Sequence, residues 1–183
     1  MIEFEAFPKI PRLNRGMVVT EKIDGTNAAV IITDDGEVGA QSRKRLITPD
    51  ADNFGFARWV HDNADTLAST LGPGRHFGEW WGQGIQRRYG LQEKRFSLFN
   101  TSRWSATDLA AVPQLSVVPV LAAGNFSHDT IAECVRELAE SGSAAAPGFM
   151  DPEGVVVYLS AARQFFKVMV KNDDLPKGLA EAP

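Results

Sequence analysis

The run Lys22-Ile23-Asp24-Gly25-Thr26-Asn27 constrains this chain more than any other stretch. It follows the apolar, β-branched segment Met17-Val18-Val19 and leads into a second one, Ala28-Ala29-Val30-Ile31-Ile32. Asp-Gly between such segments calls for a turn, because glycine tolerates positive φ and aspartate bonds its own backbone. Residues 20–32 therefore read as strand, loop, strand, with Lys22 at the end of the first strand. A lysine held there can be aimed into a pocket and used as a covalent nucleophile, or it can be a solvated side chain beside a hairpin. The hexapeptide alone does not choose between them.

The rest of the chain supplies the frame. Asp34-Asp35-Gly36 turns into a further strand over residues 37–42. Phe56, Val60, Ala64, Leu67 and Leu71 recur at near-helical spacing and stop at Gly72-Pro73-Gly74, which predicts one helix. Short aromatic strands are predicted at 76–81 and 96–99, and a buried strand at 115–121, where Pro119 demands an edge or a bend. Ser127 caps a helix carrying Ile131, Val135 and Leu138 that ends near Gly142, and two last strands fall at 154–159 and 165–170. Cys134 lies on the apolar face of that helix and reads as a small buried hydrophobe. The sum is an α+β domain dominated by antiparallel pairing, with flanking helices. At 183 residues it makes one domain, spanning 1–174, followed by a flexible tail over 175–183.

Several function classes fall away at this stage. No apolar run approaches the ~20 residues of a membrane span, and Met1-Ile2-Glu3-Phe4-Glu5 lacks the pattern of a signal peptide, so a cytoplasmic protein is expected. A net charge of -4 argues against a uniformly basic surface for nucleic acid. Local clusters remain: Arg43-Lys44-Arg45, Lys94-Arg95, and Arg87-Arg88 within the glycine-rich, aromatic stretch 80–90. That last stretch is suited to an entrance where arginines meet phosphates and an aromatic stacks on a base. A surface loop is the alternative on composition. His76 and Glu79 together make too weak a ligand set to predict a metal site.

Four further segments occur in order after Lys22: Ser42-Arg43, Phe77-Gly78-Glu79-Trp80, Glu153-Gly154-Val155-Val156-Val157 and Phe166-Lys167-Val168-Met169-Val170-Lys171. With them the chain resembles the covalent nucleotidyltransferases, the superfamily of RNA ligases, DNA ligases and mRNA capping enzymes. It is most similar to the phage-type, ATP-dependent RNA ligases, whose first motif often ends in Thr-Asn as here. The resemblance implies a ligase adenylation domain in which Lys22 attacks ATP with Mg2+ or Mn2+ assistance and stores AMP as a lysyl phosphoramide. The AMP then passes to a nucleic-acid 5′-phosphate, and a 3′-hydroxyl attacks that phosphate and displaces AMP to join or repair the strand, RNA being the expected acceptor.

Such an attack needs a neutral amine, although free lysine titrates near ~10.4. Lys167 and Lys171 are candidate sources of the positive charge that favours deprotonation, and a spacing of four in a strand puts both on one face. By resemblance, Glu79 meets the ribose hydroxyls, and Glu153 lies beside the metal and the lysine. Arg43 contacts ribose and the incoming phosphate end, and Asn27 sits near the phosphates. Glu21 meets the adenine amine. Phe96 stacks on the purine, with Phe99 as the other candidate.

The chain also departs from the family. Asn100 stands where relatives often carry aspartate, and the spacing of Lys167 and Lys171 is wider than the common Lys-x-Lys. Only twelve residues follow Lys171, which predicts no C-terminal OB-type domain and leaves room for a partner protein to supply one. A capping-type guanylyltransferase, or a binding module without catalysis, are the other readings.

Overall fold

The computed structural model describes residues 2–171 and Asp173. Strand β1 (Gly16–Lys22) leads into β2 (Thr26–Ile32), β3 (Val38–Ser42) and the two-residue β4 (Leu46–Ile47). Helices α1 (Phe56–Asp62) and α2 (Ala64–Leu71) follow, then β5 (Gly74–Gly82), β6 (Lys94–Leu98) and the single turn α3 (Ala106–Leu109). The chain continues through β7 (Leu115–Val117), β8 (Val120–Asn125), α4 (His128–Ser141), β9 (Gly154–Leu159) and β10 (Gln164–Met169).

These strands form two sheets, ordered β10-β9-β1-β8 and β4-β3-β2-β5-β6-β7. All pairings are antiparallel except β6 with β7. β1 and β2 are consecutive yet belong to different sheets, so the Lys22–Asn27 loop is a crossing between layers and no hairpin forms there. Each sheet packs one face against helices. Val30, Trp80, Phe96 and Leu98 pack under the first two helices with Phe56, Val60, Leu67 and Leu71, while Met17, Val19, Val155 and Val157 pack with Cys134 and Leu138 of α4. A third cluster, Ile23, Trp81, Tyr89, Val118 and Ala146, joins the two layers. Cys134 is 4% exposed, as its helical position requires.

Two stretches depart from expectation, whereas His76 is placed as its sequence context implies. The run 115–121 is two strands in different sheets, and Pro119 sits at the transfer, where the missing N–H costs no ladder bond while its carbonyl accepts from the Glu21 N–H at 3.0 Å. β8 also continues to Asn125, paired along β1. The single helix over 56–71 breaks at Asn63, whose side-chain amide and backbone N–H both donate to the Trp59 carbonyl, at 2.8 and 3.2 Å. His76 is 5% exposed with Nε2 at 2.9 Å from the Gly72 carbonyl, a packed strand residue. The tail over 175–183 lies outside the described residues. Among the described residues no helix is long and apolar enough to cross a membrane.

Phe96 is wholly enclosed, its ring centroid 4.8 Å from Phe56 and 5.8 Å from Trp59. Truncation there leaves a cavity in the largest core, so Phe96→Ala is expected to cost about 3–5 kcal/mol of stability. Urea unfolding read by tryptophan fluorescence measures it; a loss under about 1 kcal/mol would contradict this packing.

Candidate active site

Strand alternation decides which side chains meet. In the six-stranded sheet Ala28, Val30, Trp80 and Phe96 face the helices, so Asn27, Glu79 and Ser97 have the opposite parity. They stand on one line, Asn27 opposite Glu79 and Glu79 opposite Ser97. In the four-stranded sheet Val19, Val155 and Val157 face α4, so Thr20, Lys22, Val156 and Lys167 share the other face. Lys22, Gly154 and Met169 form one rung across three strands, and Thr20, Val156 and Lys167 form the rung two residues back.

The crossing loop brings together, at the end of β1, the two faces that point away from the helices. Lys22 Nζ donates to Glu153 Oε2 at 2.5 Å, across 131 residues of sequence. The Glu153 side chain is 2% exposed and that of Lys22 is 23% exposed, so the pair opens to solvent only on the lysine side. Its burial makes the partner obligatory, since an unpaired carboxylate there is costly. Glu79 closes the cluster. Its Oε1 accepts the Gly25 N–H at 3.2 Å, and burial pushes its carboxyl up to about 7 against the opposing pull of Lys22, with Glu153 and Asp24 adding negative charge nearby.

Gly25 is required by this close approach. A Cβ there would lie 2.7 Å from Trp81 Cβ and 3.0 Å from Glu79 Cγ, and closer still to the Trp80 carbonyl. The Asp-Gly pair thus serves contact between loop and strand as much as turning. At Gly154, similarly, a side chain would run into the Val168 carbonyl, so the rung beside Lys22 keeps only backbone at its centre.

The remaining sequence candidates are placed as follows. Asn27 lies in the line with Glu79. Arg43 is exposed in the tight turn that Ser42 closes on Arg45. Glu21 is 1% exposed and has the parity of Val19, away from Lys22; it accepts from Ser143 Oγ at 2.6 Å and from the Ala145 N–H at 2.8 Å. Burial raises its carboxyl while these donors oppose the rise. Glu21 therefore ties the loop after α4 to β1.

Phe96, enclosed under the helices, offers no ring face to a base, whereas Phe99 is half-buried against the cluster between the layers. Lys167 and Lys171 do not share a strand face: β10 ends at Met169, and Lys171 lies beyond it with Nζ 2.7 Å from Asp151 Oδ1. Met169 occupies the rung of Lys22. Arg87 is half-buried between two carboxylates, its Nε donating to Asp24 Oδ2 at 3.1 Å and its Nη1 to Asp151 Oδ2 at 2.6 Å, while Arg88 beside it is exposed. Sequence reading missed Asp151 and Tyr89, whose hydroxyl accepts the Asp24 N–H at 2.7 Å. No local pattern marks either; only the fold brings them to the Asp-Gly loop.

A search against family models matches residues 15–171 to the RNA ligase family. The chain belongs to that family. Solved structures agree on the fold of this RNA ligase family member. A Naegleria gruberi RNA ligase mutant holding AMP and manganese superposes with a TM-score of 0.64 at 20% identity, over 86% of this chain and 50% of that one. Another mutant of that ligase, with ATP and manganese, gives 0.63 at 20% identity, over 87% and 51%. The chain thus spans about half the length of these solved relatives. No curated protein resembles it closely enough to count as a match.

The Glu79 shift has a measurable sign. Folding raises this carboxyl from 4.5 to about 7, so the native state keeps a proton that the unfolded chain has released. The associated stability is complete below the lower value and is lost as pH rises through the upper one. Wild-type unfolding free energy should therefore fall relative to Glu79→Gln as pH is taken across that window. Parallel profiles for the two proteins in equilibrium unfolding would refute the shift.

Proposed function

We propose that this chain is an ATP-dependent RNA ligase-type adenylyltransferase of the cytoplasm, with Lys22 as its nucleophile. The observation that carries the reading is the Lys22–Glu153 contact at 2.5 Å in the same acidic cluster as Glu79. Lys22 Nζ attacks the α-phosphorus of ATP, a P–N bond forms, and pyrophosphate leaves with the electrons of the broken P–O bond. The proton shed by the amine has Glu153 as its nearest acceptor. Activation of a lysine by its surroundings is the general requirement of such catalysis.

The donor set suits a hard divalent cation. Such an ion binds through one or two carboxylates, water and substrate phosphates, and needs no all-protein cage. Glu153 would hold it next to the phosphates, and the bound ion would supply charge neutralisation at the phosphoryl oxygens. Among the described residues no group of three His, Cys, Asp or Glu side chains is placed to hold a metal ion. The presence of both nucleotide and manganese in the solved Naegleria ligase mutants supports the same reading.

Around this centre, Glu79 accepts from the ribose hydroxyls and Asn27 attends the phosphates. Phe99 takes the base-stacking role that Phe96 is too enclosed to fill, and Glu21 shapes the base pocket through the loop it holds. Lys167, on the face of Lys22, supplies positive charge to the α-phosphate, and Lys171 joins it on leaving Asp151. Arg43 and Arg88 meet the backbone of the acceptor, which carries a 5′-phosphate and a 3′-hydroxyl.

Incubation with α-labelled ATP and Mg2+ or Mn2+ should yield a labelled protein band on a denaturing gel that Lys22→Ala abolishes. Unlabelled ATP should compete far better than GTP; the reverse order would identify a guanylyltransferase, and no label under any metal would leave only a binding module. Lys167→Ala should slow labelling by ~10²-fold or more, the scale for losing a charge aimed at the reacting phosphate. Arg88→Glu should weaken binding of a nicked RNA duplex and flatten its salt dependence, since each phosphate contact contributes a slope of about one; unchanged affinity at low salt would remove Arg88 from the interface.

A further inference from the structure

Arg87 has no part in the chemistry above, and its surroundings are those of a tie between segments. Its guanidinium reaches two parts of the chain. Nε donates to Asp24 Oδ2 at 3.1 Å, and Nη1 donates to both the Asp151 carbonyl at 2.9 Å and Asp151 Oδ2 at 2.6 Å. Asp24 is two residues after Lys22, and Asp151 is two residues before Glu153. The arginine thus clamps the peptide on either side of the 2.5 Å contact at the centre of the site. Two further bonds belong to the same assembly: the Asp24 N–H donates to Tyr89 Oη at 2.7 Å, and Lys171 Nζ donates to Asp151 Oδ1 at 2.7 Å.

The loop that carries Arg87 is built to hold it. Gln86, Arg88 and Tyr89 all have positive φ, at 43°, 60° and 51°, which side chains other than glycine rarely adopt. Such a backbone persists only where its surroundings over-determine it. Ile85 and Tyr89, 0% and 2% exposed, anchor the loop on both sides of Arg87, and the Tyr89 ring packs 4.9 Å from Trp81 and 4.6 Å from Phe149. The guanidinium's planar array of donors can serve two carboxylates at once, whereas a lysine ammonium can reach one or the other.

We propose that Arg87 is a positioning residue for adenylylation: by tying Asp24 to Asp151 it sets the approach of Lys22 to Glu153 and to the α-phosphorus. The inference rests on Lys22 being the nucleophile. It assigns Arg87 to nucleotide transfer onto the enzyme and removes it from the nucleic-acid surface, where the sequence had put it beside Arg88. Misplacement by about 1 Å of a reacting group is enough to cost ~10²-fold in rate without loss of substrate binding. The signature is therefore a fall in the saturating rate with little change in KM.

Single-turnover labelling with α-labelled ATP, run on the full chain across ATP concentrations, tests this. Arg87→Met should lower the saturating rate of Lys22 labelling by ~10- to 100-fold, with KM for ATP within about threefold of wild type. Arg87→Lys should recover part of the loss, and Asp151→Asn, which keeps the Asp24 arm and the carbonyl bond, should lose less than Arg87→Met. Wild-type labelling is the control: if it fails, the nucleophile assignment fails with it. If wild type labels and Arg87→Met labels equally fast, only the positioning role is overturned. A rise in KM matching the loss of rate, or Arg87→Lys no better than Arg87→Met, would also overturn it. Labelling intact but nicked-RNA binding weakened would return Arg87 to the nucleic-acid surface. Should Arg87→Met fail to fold, Arg87→Lys and Asp151→Asn decide by the same rate and KM criteria.

Discussion

The contact between Lys22 and the buried Glu153 carboxylate is the constraint around which the rest of the chain is arranged. A carboxylate with 2% of its side chain exposed has to be matched by a cation, and a lysine on the neighbouring strand is matched only if both strand ends arrive at the same depth. The register of β1 on β9 provides this, with Lys22 level with Gly154, one residue past the glutamate. The absent side chain at Gly154 lets β9 and β10 close to normal ladder spacing beside the pair.

A second demand acts on the same few atoms. The loop leaving Lys22 must cross from one sheet to the other and lie flat on β5, where Gly25 meets the Glu79 carboxylate. Glu79 then feels the charges of Lys22, Glu153 and Asp24, and burial outweighs the lysine's pull on it. Lys22 offsets Glu153 and Arg87 offsets Asp24, so Glu79 is the acid of the cluster that burial pushes toward its neutral form. Around it, bonds from Tyr89, Arg87 and Lys171 reach Asp24 and Asp151 rather than the central pair, so the crossing loop and the approach to β9 are braced from outside the reacting centre.

Legibility followed the range of the forces involved. Strands β1, β2, β3, β5, β6, β9 and β10 were readable because alternation and turn residues act within a few positions. The break of the first helical run at Asn63 was not, since the near-helical spacing of Val60, Ala64 and Leu67 continues across it and the side-chain bond to Trp59 is visible only in place. Pro119 announced a bend, but which sheet received each half depended on neighbours far away in sequence. Phe96 and Phe99 lie three positions apart in one aromatic run, and one is sealed under the helices while the other borders the space between the layers.

By itself the sequence determined that this is a single α+β chain with a lysine at a strand end, followed by acids and lysines in the order shared by covalent nucleotidyltransferases. Those features are local, and order along the chain survives whatever the fold does. The tertiary structure alone decided that Glu153 is the lysine's partner and that Arg87 is held between Asp24 and Asp151. It also placed Met169 on the rung of Lys22 and ended the strand before Lys171. The Lys22 and Arg87 contacts join segments about 60 to 130 residues apart, the Met169 rung rests on strand register, and no periodicity along the chain encodes either.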